Sequence, residues 1–186
     1  MEGEKYIEVI RPLMGEKRFV HSLNVAKSAV MLADKYGGDR EKAFTAGILH
    51  DIMKEASPER QLQILSDNGI ILDKVSKSAH KLWHAKAGAA YCQDILKIVD
   101  FDILNAISFH TTARAGMSLL EKIIYLADYI GEDRDYNGVE EMRKATLHSL
   151  EEGLEFSLSF SIVDLTKKRR AIHPDTVAAY NELFLK

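Results

Sequence analysis

Ala43-Phe-Thr-Ala-Gly-Ile-Leu-His50-Asp51-Ile-Met53 sets an imidazole and a carboxylate side by side in an otherwise apolar run. The stretch 40–54 around it reads as one helix. An ionised aspartate buried there is costly unless it holds a metal ion or has a strong partner, so the pair asks for a cation. Further out, His21, His84, His110 in Ile107-Ser-Phe-His110 and Asp128 in Tyr125-Leu-Ala-Asp128-Tyr-Ile130 also sit among apolar neighbours. Each alone reads most simply as a hydrogen-bonded core or edge residue, and a lone His-Asp dipeptide is weak. Together they form a nitrogen and oxygen ligand set with no sulfur, suited to iron, manganese, cobalt or zinc.

The same period organises the rest of the chain. From Phe19 to Tyr36 a stripe of Phe19, Leu23, Ala26, Val30 and Ala33 predicts a core helix, stopped by Gly37-Gly38, with His21 at the margin of the apolar arc. Ser118-Leu-Leu-Glu121 fits a capping box and starts a helix over 118–130. Pro58 and Pro174 suit first helical positions. Further helices are expected at 58–67, 82–98, 101–110, 139–168 and 174–185. Met31, Met53, Phe101, Phe156 and Phe160 read as core. No period-two alternation appears, so the expectation is an all-α, single-domain helical bundle over residues 1–186.

Composition narrows the function classes. A chain of 186 residues with 46% hydrophobic content can bury a sizeable core. A net charge of -3 provides no global field for nucleic acid or an anionic membrane, so phosphate binding must be local. The single cysteine, Cys92, excludes an internal disulfide and points to a reducing cytoplasm. The opening Met1-Glu-Gly-Glu-Lys5 lacks the order of a signal peptide, and no apolar run approaches the ~20 residues of a membrane span. A Gly-rich phosphate loop is absent, which argues against a P-loop mechanism. The oligomeric state is not legible at this level.

Arg18-Phe-Val-His21-Ser-Leu-Asn-Val-Ala26, Leu49-His-Asp-Ile-Met-Lys54, His84-Ala-Lys-Ala-Gly-Ala89 and His110-Thr-Thr-Ala-Arg-Ala-Gly-Met-Ser118 follow one another in order. Leu120 to Ile130, Arg134-Asp135 and Ile172-His-Pro-Asp-Thr-Val-Ala-Ala-Tyr-Asn181 complete the series. This ordered set resembles the HD superfamily and, within it, the YqeK family of symmetrical dinucleoside tetraphosphatases. The resemblance implies that His21, His50, Asp51 and Asp128 hold one metal, that His84 and His110 hold a second, and that Asp51 bridges. It further implies two iron ions and hydrolysis of diadenosine tetraphosphate to ADP. Ala113 stands where the family usually has glycine, Leu119 replaces a usual proline, and Gly131-Glu132 replaces a Glu-Pro pair.

Elementary chemistry agrees with that class. Two divalent ions against two aspartates leave a local positive excess that suits a polyphosphate, with water as the nucleophile. Lys54, Arg18 and Arg134 are the expected phosphate contacts, with Asp51, Lys54 and Arg134 catalytic, His84 and His110 facing substrate, and Arg170 a further expected nucleotide contact. Without the resemblance Lys54 would read as a surface lysine ending its helix. His80 shares a helical face with His84 and competes for the second metal, but the resemblance selects His84. His148 is expected to be exposed, and Lys167-Lys-Arg-Arg170 to be the solvated end of a helix. The same ligands would also serve another HD phosphohydrolase, a di-iron oxygenase or a non-catalytic nucleotide sensor.

Overall fold

The computed structural model describes residues 2–185 and is helical throughout, with no strand among the described residues. A short helix α1 (Lys5–Ile10) leads into α2 (Glu16–Tyr36), which ends where Gly37 takes a left-handed φ of 76°. The next helix, α3 (Arg40–Leu49), starts on the Asp39 side chain, which accepts from the Lys42 amide. It crosses α2 closely because Gly47 meets Ala26: a Cβ on Gly47 would lie 2.7 Å from Ala26 Cα. That crossing brings the His21 face of α2 against the His50 end of α3.

Pro58 and Pro174 occupy first helical positions of α4 (Pro58–Asp67) and, at the far end of the chain, α11 (Pro174–Phe184). Between them lie α5 (Lys74–Ser78), α6 (Trp83–Asp94), α7 (Phe101–Phe109) and α8 (Leu119–Ile130). They are followed by α9 (Val139–His148) and α10 (Leu150–Lys167). The capping box of Ser118 and Glu121 is formed in full. Helix α8 runs through the middle, its Ile123, Ile124, Leu126 and Ala127 fully buried. It packs on α2, α3, α7, α9 and α10, while α6 joins α7 to α4. Each fully buried Ile or Leu contributes about 1.5–3 kcal/mol, so this central helix anchors the layers that carry the polar residues. No helix of the described residues is long and apolar enough to cross a membrane.

Several expected elements differ. The single helix over 139–168 is two helices, because Ser149 is extended (φ -152°, ψ 156°) and its hydroxyl caps α10 by accepting from the Glu152 amide. The helix over 40–54 stops at Leu49 and continues as tight turns, with Ile52 N–H to Leu49 O at 3.0 Å and Lys54 N–H to Asp51 O at 2.8 Å. The helix over 82–98 ends at Asp94, and the chain turns through Lys97 at φ 57°. Met53 is core, but Met31, Phe101 and Phe160 are 43%, 70% and 36% exposed: they fall on the outward arcs of their helices, where no layer covers them.

Candidate metal centre

Two helices end in the same way, and their ends meet. His50 caps α3 and its ring Nδ1–H donates to Gly47 O at 2.7 Å; His110 caps α7 and its Nδ1–H donates to Ile107 O at 2.7 Å. In each case the imidazole satisfies a last-turn carbonyl, which halts the helix and fixes the tautomer that leaves Nε2 as a bare lone pair. Both C-termini also turn the negative ends of their helix dipoles toward the same point.

His21 from the middle of α2, His84 from the start of α6, Asp51 from the turn after α3 and Asp128 from the last turn of α8 complete the cluster. His84 Nε2 and His110 Nε2 face one another at 3.2 Å. Asp51 Oδ1 lies 3.1 Å from His84 Nε2 and 3.4 Å from His110 Nε2, yet neither approach is aligned as a hydrogen bond, and this oxygen is left without one. Asp51 Oδ2 is 3.4 Å from His50 Nε2, which is likewise buried and unpartnered. Asp128 Oδ1 is 3.0 Å from His21 Nε2 and 3.9 Å from His50 Nε2. One donor atom per residue within 4.8 Å of the others is offered by His21, His50 and Asp51, by His50, His110 and Asp128, and by Asp51, His84 and His110.

His50 Nε2 and Asp51 Oδ1, buried and facing the other donors with no hydrogen-bond partner, lose solvation and gain nothing unless a cation sits among them. The residues therefore fit a metal. Their protonation agrees. Burial alone raises the Asp51 carboxyl, but His50, His110 and His84 outweigh it and hold it well below the usual carboxylate range. Burial also raises Asp128, against which the His21 contact and the Arg134 guanidinium prevail, so it too stays ionised. Burial pushes His84 down to about 4, which keeps its imidazole neutral as a ligand must be.

Three cationic heads rim the cluster. Arg18 Nη1 donates to Asp51 Oδ2 at 2.6 Å, Arg134 donates to Asp128 Oδ1, and Lys54 Nζ lies 3.1 Å from His84 Nε2 and 3.7 Å from Asp51 Oδ1. Lys54 reaches this point from a tight turn rather than from a continuing helix. Burial lowers its ammonium, partly countered by Asp51 and Asp128. Arg170 lies apart, exposed, on the wall of a 550 Å³ cavity that begins at Thr111, next to His110. His80 is exposed and lies outside the donor groups; His148 is exposed and pairs with Glu152.

One residue of the site has no periodic signal. Asp133, in the loop after α8, accepts from His21 Nδ1 at 2.8 Å through Oδ2 and from Asn24 Nδ2 at 3.1 Å through Oδ1. It fixes His21 as Gly47 O fixes His50, by holding the far ring nitrogen. The one available hint is its position five residues beyond Asp128, in an acidic loop.

The HD domain family model matches residues 18–133, a span that contains all six clustered donors. The chain belongs to the HD domain family. Relatives within this family run its full length: the symmetrical bis(5'-nucleosyl)-tetraphosphatase of Halalkalibacterium halodurans is 39% identical, over 100% of this chain and 99% of the relative. The Bacillus subtilis protein of the same name is 37% identical over 98% of each. A crystal structure from Clostridium acetobutylicum, described as that of a predicted HD superfamily hydrolase involved in NAD metabolism, superposes with a TM-score of 0.94 at 40% identity, covering 98% of this chain and 96% of that one. HD membership and the buried His/Asp cluster together point to divalent metal binding.

Proposed function

We propose that this chain hydrolyses diadenosine tetraphosphate symmetrically, giving two ADP. The observation that carries the reading is the convergence of four histidines on two aspartates with His50 Nε2 and Asp51 Oδ1 left unpartnered, in a chain alignable end to end with symmetrical tetraphosphatases. His21, His50, Asp51 and Asp128 would hold one metal, and His84 and His110 the second, with Asp51 shared. We take iron as the ion, by the resemblance; manganese, cobalt and zinc suit the same donors. Bound metals supply charge neutralisation and an activated water.

The chain's own groups do the rest. Asp133 and the carbonyls of Gly47 and Ile107 hold the imidazoles in the ligand tautomer. Once Asp51 and Asp128 have another cation, Arg18 and Arg134 are released from them to hold phosphate oxygens, with Lys54 beside them. One water is consumed, the P–O bond between the second and third phosphates breaks, and each half leaves as ADP. The 550 Å³ cavity lined by Thr111, Thr112, Leu165, Arg170 and His173 accommodates one nucleoside end beside the cluster. A reducing cytoplasm suits the buried Cys92, whose thiol burial pushes up and keeps protonated. A small nucleotide is the partner assigned, with neither nucleic acid nor membrane.

Time-resolved separation of products from diadenosine tetraphosphate, with iron-loaded protein and Asp51→Ala side by side and metal measured on both, tests this. ADP alone, from the metal-replete wild type only, is expected. AMP with ATP would overturn the cleavage position, and a metal-loaded protein without turnover would overturn the hydrolase reading.

A further inference from the structure

Helix α10 carries a stripe that its own fold leaves uncovered. Glu152, Phe156, Ser159, Phe160, Val163 and Lys167 fall within an arc of about 100° on a helix advancing ~100° per residue. All six line a 650 Å³ groove bordered by Ala145 of α9 and Phe184 of α11. Phe160, Val163 and Phe184 are 36%, 47% and 51% exposed there, an apolar patch at the centre of an otherwise charged face.

Two of the three mirrored pairs along the stripe are complementary, one apolar with apolar and one acid with base. About the point between Ser159 and Phe160, Phe156 mirrors Val163 and Glu152 mirrors Lys167. A second copy of α10, laid antiparallel about a two-fold axis through that point, sets Ser159 against Phe160 at the axis, Phe156 against Val163 one turn out, and acid against base at both ends. That is the self-complementarity an isologous interface requires. The remaining acids of the groove do not spoil it. Glu155 and Asp164 project on opposite flanks of the stripe, and Asp164 is held by Lys168 at 2.7 Å. Lys167 has no ion pair within the protomer among the described residues, and Glu152 has only the solvent-exposed His148.

We infer that this face of α10 is the interface of a homodimer, with two copies packed antiparallel across Phe160 and crossed by two Glu152–Lys167 pairs. Phe160 also walls the cleft beside Asp128 and Arg134, and its ring meets Tyr136 at 5.2 Å, so the second copy sits against the outer rim of each metal centre. The inference does not depend on the substrate.

Sedimentation equilibrium of the full chain reads it directly. The wild type is expected at about twice the 21.0 kDa protomer mass. Glu152→Lys and Lys167→Glu each put like charges across both symmetric contacts and should weaken the dimer at least about tenfold, while the double reversal restores the pairing. Val163→Asp, at an exposed position that leaves the protomer core intact, should give a monomer with unchanged helicity by circular dichroism. A wild type of protomer mass, single reversals without effect, or a double reversal that fails to restore the dimer would each overturn the proposed interface.

Discussion

Two clusters in this molecule combine buried histidine with carboxylate, and they are built in opposite senses. Around Asp51, the carbonyls of Gly47 and Ile107 take the Nδ1 hydrogens of His50 and His110, turning Nε2 of each toward the cluster and leaving His50 Nε2 and Asp51 Oδ1 unpartnered. Around Asp73, every atom is answered. Asp73 Oδ1 accepts from the Val75 and Ser76 amides at 2.8 and 3.0 Å, and Oδ2 accepts from Ser76 Oγ at 2.5 Å and from His173 Nε2 at 2.9 Å. His173 Nδ1 accepts in turn from the Asp175 amide at 3.1 Å, capping α11. His173 therefore carries its hydrogen on Nε2, the reverse of His50 and His110. Residue type does not separate a ligand from a clasp; the ring nitrogen that the backbone leaves free does.

The sharpest way to break this comparison is Asp51→Ala, which removes the shared oxygen. Metal content by mass spectrometry and turnover should both fall by more than the ~10–100-fold typical of changes behind a ligand. Asp133→Asn falls inside that range, since His21 keeps its place but loses the carboxylate on Nδ1. A metal titration followed by competition with a chelator measures it. If Asp133→Asn binds metal as the wild type does, the tautomer argument fails at His21.

His173→Ala should do the reverse: metal content is unchanged, while stability in urea drops by about 1–2 kcal/mol as α11 loses its cap and Asp73 a donor. The clasp also has a pH signature. Burial raises the Asp73 carboxyl, but the hydrogen bonds of Ser76 and His173 outweigh it and hold it well below its ordinary 3.8. A carboxyl depressed in the folded state stabilises fully above its unfolded value and loses that contribution as pH falls toward the folded one. The gap in melting temperature between wild type and Asp73→Asn should therefore be widest at neutral pH and close as the pH drops below 3.8.

The smallest effect belongs to Ala113, just beyond the His/Asp cluster, where the resemblance leads one to expect glycine. Its φ of 57° lies in the left-handed region, and its methyl is fully buried. Glycine would relieve about 1 kcal/mol of backbone strain but give up ~0.8 kcal/mol of burial and some unfolded-state restriction. Ala113→Gly should shift the melting temperature by less than about 2 °C.

Helical periodicity, the paired proline starts and the Ser118 capping box were legible because each is a relation between residues a few positions apart. So was the candidate donor set, once polar residues out of place on apolar faces were taken together. The break at Ser149 was legible in principle: Ser149-Leu-Glu-Glu152 is the same serine-to-glutamate spacing, overlooked inside a long periodic stretch. Asp133 was not, because a loop has no period to violate and its partner His21 is 112 residues away. The outward turn of Phe160 was hidden too, since an apolar residue on a stripe signals burial without saying by what.

By itself, then, the sequence determined an all-helical chain with six candidate donors spread over five helical segments, through spacing and the energetic cost of burying charge. Only the tertiary structure decided that those donors meet, which nitrogen each imidazole presents, and which side of α10 is left bare. The close crossing at Ala26 and Gly47 and the carbonyl positions at two helix ends are properties of packing between distant segments. Local periodicity carries no information about them, because the free energy that selects them is gained only when the layers close.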